Sequence, residues 1–229
     1  IEINSHIIDF IVIGTDTNVK NDFSEEIIEL ARNADVDFYL RGEEPSVDNN
    51  KYIIAISWRW MINHPMSKLV VFHDSILPKY RGFAPLVNML INGETEIGVS
   101  AIFGAIEYDK GDLISQKISK IEYPITISEA IDLNNRNFIQ LAEEIILKIS
   151  NDEDLVGVPQ NEDEVSYSIW RDDDDYEIDW YKPSDEIKRL IDAVGYPYLG
   201  ARTSTTKGKK IRVSKAEVVE DVQCELRHV

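Results

Sequence analysis

Residues 73–82 read His-Asp-Ser-Ile-Leu-Pro-Lys-Tyr-Arg-Gly, directly after the apolar run Leu69-Val70-Val71-Phe72. A histidine can exchange a proton near neutral pH, and Lys79 and Arg81 can hold an anionic group such as a phosphate. The same residues also suit a plain surface loop, with solvated charges and a histidine capping the strand. Further context comes from Asp109, 36 positions on, in the turn Tyr108-Asp109-Lys110-Gly111-Asp112 between two strand-like runs. A carboxylate that reaches the histidine fixes its tautomer and stabilises its protonated form.

These groups need elements to hold them. Residues 8–14, 36–40, 52–56, 69–72, 98–103 and 113–121 are short runs of strand-forming residues, several ended by Gly or a polar loop. Helices are expected over 24–31, capped by Ser24, from Pro85 to Asn92-Gly93, and from Ser128 to about Ile149. In the last, Ile131, Phe138, Leu141, Ile145 and Ile149 form one face. This alternation argues for an α/β fold with an open sheet and helices on both faces. Ligands of such sheets sit beyond the carboxyl ends of the strands, where the pattern puts His73.

Composition shifts after residue 150. The acidic stretch 151–164, with Gly157 and Pro159, reads as a linker. Beyond it lies a smaller, strand-rich second domain over 165–229. It has strand-like runs at 165–170, 202–205, 211–214 and 224–229, a helix over 183–194, and a turn at 206–210. Asp172–Asp175 lacks the spaced ligands of a calcium loop and reads as a solvated acidic turn. No metal site is expected. Both ends read as cut: no Gly-rich strand-and-helix unit opens the sheet of domain 1–150, and Val229 falls within a strand-like run.

The net charge of −18 disfavours nucleic acid, whose phosphates attract Lys and Arg. The one dense basic cluster, Lys207-Gly208-Lys209-Lys210, reads as a hairpin turn. No apolar run approaches the roughly 20 residues of a membrane span. With a single cysteine, Cys224, and no signal-peptide pattern, a reduced, cytoplasmic setting is expected.

Three motifs in order resemble the N10-formyltetrahydrofolate-dependent formyltransferases: His73 to Gly82, Asn92-Gly93-Glu94-Thr95-Glu96-Ile97-Gly98-Val99, and Asp109-Lys110-Gly111-Asp112. The His73-to-Asp109 interval matches the family's interval between catalytic histidine and aspartate. Ile178-Asp179-Trp180 and Tyr196 to Ala201 look like the start of its C-terminal domain. The resemblance implies a Rossmann-like N-terminal domain, N10-formyltetrahydrofolate as formyl donor, and transfer to an amine. It casts His73 in proton transfer and Asp109 as its charged partner. It puts the pterin between Trp60-Met61-Ile62 and Glu107-Tyr108-Asp109, although packing is an equal reading of Trp60. Lys79, Tyr80, Arg81 and Gly82 are expected to line the substrate side, with Arg81 pairing either a diphosphate or a structural carboxylate.

The family's oxyanion asparagine, two places before the histidine, is matched here by Val71, which offers no hydrogen bond. Loss of such a donor costs on the order of 100- to 1,000-fold in turnover. Either another donor serves, such as protonated His73 or a backbone N–H, or the chain binds its ligands without turnover. Among acceptors, methionyl-tRNA requires a basic loop where residues 15–26 are acidic. The motifs are instead similar to those of sugar N-formyltransferases, which implies a nucleotide-linked amino sugar as acceptor, in the manner of dTDP-linked dideoxysugars. A homodimer is expected by the same resemblance.

Overall fold

A computed structural model describes residues 5–15 and 22–220 of the chain. Strand β1 (Phe10–Ile13) pairs in parallel with β2 (Asp37–Leu40), and α1 (Ser24–Asn33) connects them. A second, four-stranded sheet follows: β3 (Ile53–Ile56), β4 (Leu69–His73), β6 (Glu96–Phe103) and β7 (Leu113–Lys120), in the order β3-β4-β6-β7. Between β4 and β6 lie the two-residue β5 (Arg81–Gly82) and α2 (Pro85–Asn92). Helix α3 (Ile127–Ser150) closes this part.

The architecture is α/β, as the alternating pattern predicts, but the sheet is mixed. β3 and β4 run parallel, whereas β4–β6 and β6–β7 are antiparallel. The connection from β6 to β7 is a hairpin with no room for the crossover helix that parallel strands require. In β4, side chains alternate between faces. Val70 and Phe72 pack with Val99 and Ala101 against Leu141 and Ile145 of α3, and the Phe72 and Phe138 rings stack at 6.3 Å. Val71 and His73 therefore point to the sheet face away from α3.

Local chemistry explains the helix ends. Pro85 occupies the first turn of α2, where its missing N–H costs nothing, and Gly93 closes the helix at φ +76°. Thr126, not Ser128, caps α3: it accepts from the Glu129 backbone N–H while the Glu129 carboxylate accepts from the Thr126 N–H. The threonine heads a capping box, and that reciprocal pair outcompetes a serine two positions later.

Residues 151–164 do more than tether two parts. Leu155 is buried with Val70 and Leu141, and Val158 exchanges two backbone hydrogen bonds with Leu113. Gly157 lies so close to the hairpin that a Cβ there would stand 2.6 Å from the Asp112 Cβ. The acidic composition hid three packing residues.

Beyond this stretch, β8 (Tyr167–Ser168) pairs in parallel with β5, a much shorter strand than residues 165–170 suggest. Helix α4 (Ser184–Ala193) follows, then the antiparallel hairpin of β9 (Ala201–Ser204) and β10 (Lys210–Val213), with Gly208 at φ +75° in its turn. Ile191, Val194 and Ala201 bury against Leu86, Met89 and Leu90 of α2, so this strand-bearing C-terminal part shares a core with the sheet-bearing part. The acidic run is not simply solvated. Asp173 and Asp174 pair with Arg202 at 2.9 and 2.7 Å, and Asp173 also pairs with Arg212. The strand expected over 224–229 lies outside the described residues.

Candidate active site

His73 ends β4 almost fully buried. Its Nε2 lies 2.9 Å from the Tyr80 carbonyl oxygen, and its Nδ1 lies 3.4 Å from Asp109 Oδ1. A carbonyl oxygen only accepts, so Nε2 carries a hydrogen and Nδ1 is the basic nitrogen in the neutral ring. The 3.4 Å separation is longer than a good N–H···O bond. Asp109 is steadied from the other side: its Oδ2 accepts from the Gly82 backbone N–H at 2.8 Å.

The loop between His73 and Gly82 is held by buried hydroxyl and amide groups. Ser75 Oγ donates to the Lys79 carbonyl. Ser100 Oγ on β6 donates to the Ser75 carbonyl, accepts from Leu77 N–H and receives the Gln116 amide of β7. Ser166 Oγ accepts from Tyr80 N–H, and Ser168 Oγ donates to the Tyr80 carbonyl. Tyr80, Ala84 and Asp109 all adopt left-handed backbone (φ +60°, +47° and +58°). Such strain in non-glycine residues collects where surrounding bonds over-determine the chain.

Among the described residues Arg81 is the most enclosed charged side chain, 1% exposed. Its Nε and Nη2 donate to Gln160 Oε1 at 3.2 and 2.8 Å, and its Nη1 and Nη2 donate to Glu162 at 3.3 and 2.8 Å. The Gln160 amide in turn donates to the carbonyls of Asp109 and Gly111. Between the two partners the sequence leaves open for Arg81, the structure has the carboxylate. Tyr80 also turns inward: its hydroxyl donates to Glu94 and accepts from Asn92, and burial, with Glu94 adding, pushes the phenol up to about 12. Both side chains are engaged by partners within the protein. Lys79 is exposed.

Asp74, beside His73, has its carboxyl raised above the ordinary range by burial, against the pull of His73 and its own backbone, with Asp109 adding to the rise. Partial burial pushes the Tyr198 phenol up to about 12, and the Asp74 charge adds to it.

Residues 50–150 match the "Formyl transferase" family model, and residues 171–225 match "Formyl transferase, C-terminal domain". The chain belongs to the formyltransferase family. A curated relative, the methionyl-tRNA formyltransferase of Alkaliphilus oremlandii, is 32% identical over 156 residues, 68% of this chain and 49% of that protein. The chain spans about half the length of the curated relatives it matches. Among solved structures, WlaRD, a sugar 3N-formyl transferase determined in the presence of dTDP and 5-N-formyl-THF, superimposes with a TM-score of 0.65. It is 21% identical and covers 80% of this chain and 68% of WlaRD. HypX from Aquifex aeolicus, in complex with tetrahydrofolic acid, gives 0.63 at 18% identity over 88% and 36% of the two chains. At these identities the structural likeness speaks for the fold alone.

Trp60, Met61 and Ile62 lie in the loop after β3. The Trp60 ring is boxed in: a Cβ on Gly14 would meet it at 2.4 Å, Trp58 meets it edge-on at 4.9 Å, and the Arg41 and Arg59 guanidinium groups lie 4.5 and 4.9 Å from its centroid. Met61 is well exposed, as is Tyr108 in the β6–β7 hairpin, while Glu107 pairs with Lys110 at 2.6 Å. Sequence reasoning missed Ser100, Gln116, Gln160 and Ser168, all of which position the His73 loop. Their small polar side chains stand in strand-like or acidic runs with no signal that they face inward.

Proposed function

We propose that this formyltransferase transfers a formyl group from N10-formyltetrahydrofolate to the amino group of a nucleotide-linked amino sugar. The observation that carries the reading is the His73–Asp109 pair, held by Tyr80 and Gly82 at the carboxyl end of β4. When bound, the folate supplies an electrophilic formyl carbon for the amine to attack. Nδ1 of His73 takes the proton released from the amine, and the Asp109 carboxylate stabilises the resulting imidazolium. His73 then returns that proton to the leaving nitrogen, so no net proton is gained or lost. Val71 cannot donate to the developing oxyanion, and both N–H groups of protonated His73 already face acceptors, the Tyr80 carbonyl and Asp109, so a backbone N–H is the donor we assign.

The residues fit the folate in kind. Exposed Met61 and Tyr108 offer apolar and aromatic surface to a flat ring, and Trp58 Nε1 is buried without an acceptor among the described residues. Trp60 and Ile62 would back the ring on one side and Glu107 on the other. The sugar reading draws on the −18 charge and on the kinship of the fold with WlaRD. A second reading, transfer to methionyl-tRNA, draws on the curated relative. Incubation with N10-formyltetrahydrofolate and a panel of dTDP- and UDP-linked amino sugars, beside charged initiator tRNA, separates them. We expect a mass gain of one formyl group on a sugar and none on the tRNA. Formylation of the tRNA alone would reverse the assignment.

A further inference from the structure

Of the two cations the loop offers to a phosphate, Arg81 is engaged with Gln160 and Glu162, which leaves Lys79 without a guanidinium beside it. A different guanidinium is available close by. Arg171 is half-buried, and its Nε donates to Asn88 Oδ1 at 2.8 Å. Among the described residues no carboxylate pairs with it, and Nη1 and Nη2 have no acceptor. Asn88 is itself buried and fixed by donating to the carbonyls of Ala84 and Ile169. The guanidinium is therefore aimed by a rigid amide rather than free to swing. The neighbouring aspartates do not claim it: Asp172 and Asp175 cap their own turn, and Asp173 and Asp174 pair with Arg202 and Arg212.

The residues flanking this knot are aromatic and open. Phe83 and Trp170 are 53% and 64% exposed, and their rings meet edge-to-face at 5.6 Å. The backbone of Phe83 is tied to the β5–β8 pair, its N–H donating to the Ser168 carbonyl at 3.3 Å. Phe83 directly follows Gly82, whose N–H holds Asp109, and Trp170 stands two residues after Ser168, which bonds the same Tyr80 carbonyl as His73. A stiff aromatic pair with an aimed, unpaired guanidinium matches a flat heterocycle joined to a phosphate: the ring covers an aromatic face, and two phosphate oxygens meet the two Nη groups.

We infer that Phe83, Trp170 and Arg171 form the acceptor's nucleotide subsite, with the base on the aromatic pair and a phosphate on Arg171. This rests on the sugar-nucleotide reading above and gives that reading its anchoring residues. Transfer requires two ligands around one His73–Asp109 pair. The second aromatic feature, Trp60, comes from other elements and already has arginines beside its ring.

Isothermal titration of the purified chain with dTDP, with UDP, with thymidine and with tetrahydrofolate tests the subsite. Trp170→Ala is expected to weaken dTDP and thymidine binding by about tenfold. Arg171→Gln should weaken dTDP to a similar degree while leaving thymidine unchanged, and neither change should alter tetrahydrofolate affinity or the melting temperature. If dTDP binds and both variants bind it as the wild type does, the subsite is wrong and the sugar-nucleotide reading stands. If the variants lose tetrahydrofolate affinity instead, the folate occupies this surface and the inference is overturned. If the wild type binds neither dTDP nor UDP, both the subsite and the sugar-nucleotide reading fall.

Discussion

Gly82 shows how much the site depends on single atoms. Its φ of +106° lies in the region that favours glycine, its N–H holds Asp109, and a Cβ would stand 2.6 Å from the Ser168 carbonyl oxygen. Gly82→Ala must push β8 away or abandon the conformation, and either movement releases Asp109. The expected outcome is loss of 1–3 kcal/mol of stability, to order of magnitude, together with a fall in formyl transfer of about 100-fold or more, an effect that misplacement on the order of 1 Å can produce. Thermal melting and initial rates check the two effects separately. At this scale the sequence made His73, Asp109 and Gly82 visible, because their residue types are unusual at those positions. It could not show that Tyr80 and Arg81 turn inward: Gln160 and Glu162 lie 79 and 81 positions from Arg81 and carry no pattern of their own, and the motif that holds Glu94 does not say that Tyr80 meets it.

Elements carry the sheet face that His73 uses. Helix α3 covers the opposite face, and its grip includes an ion-pair bridge: Glu144 meets Lys117 of β7 at 2.6 Å and Lys148 at 3.1 Å. Burial alone would raise the Glu144 carboxyl, but hydrogen bonds from Lys117, Lys148 and Ser115 outweigh it and hold it at about 2. A carboxyl depressed in the folded state contributes stability above its ordinary value of 4.5, and that contribution is lost as pH falls from there toward about 2. Glu144→Gln should therefore cost roughly 2 kcal/mol at pH 7. The cost should shrink to near nothing at the acid end of that window, as read from urea unfolding at several pH values. The strands and helices were largely legible from periodicity, whereas the antiparallel run of β6 and β7 was not. Strand direction is decided by the hairpin that joins them, and alternating apolar residues look the same either way.

At the scale of the whole molecule, one apolar cluster joins α2, α3, α4 and β9. The C-terminal part thus shares a core with the part that bears His73, and Arg171 donates from it to Asn88 of α2. Truncating the fully buried Ile191 of α4 should cost about 2–5 kcal/mol. Unfolding followed by tryptophan fluorescence and by far-ultraviolet circular dichroism should stay coincident in Ile191→Ala, because both parts melt together. Two separated transitions would mean that the parts are stable independently. Composition predicted a linker and a second domain here. It did not reveal how closely residues 151–164 pack, because Leu155, Gly157 and Val158 are diluted among carboxylates.

All three scales bear on the proposed role of His73 as the group that moves the proton during formyl transfer. The most direct measurement is the rate at which wild type and His73→Ala convert N10-formyltetrahydrofolate and an accepted nucleotide amino sugar into formylated product, followed by mass spectrometry with melting curves in parallel. The account predicts product from the wild type and a loss of about 100- to 10,000-fold in His73→Ala, with the fold retained. Turnover within a few-fold of wild type in a folded His73→Ala protein would contradict it.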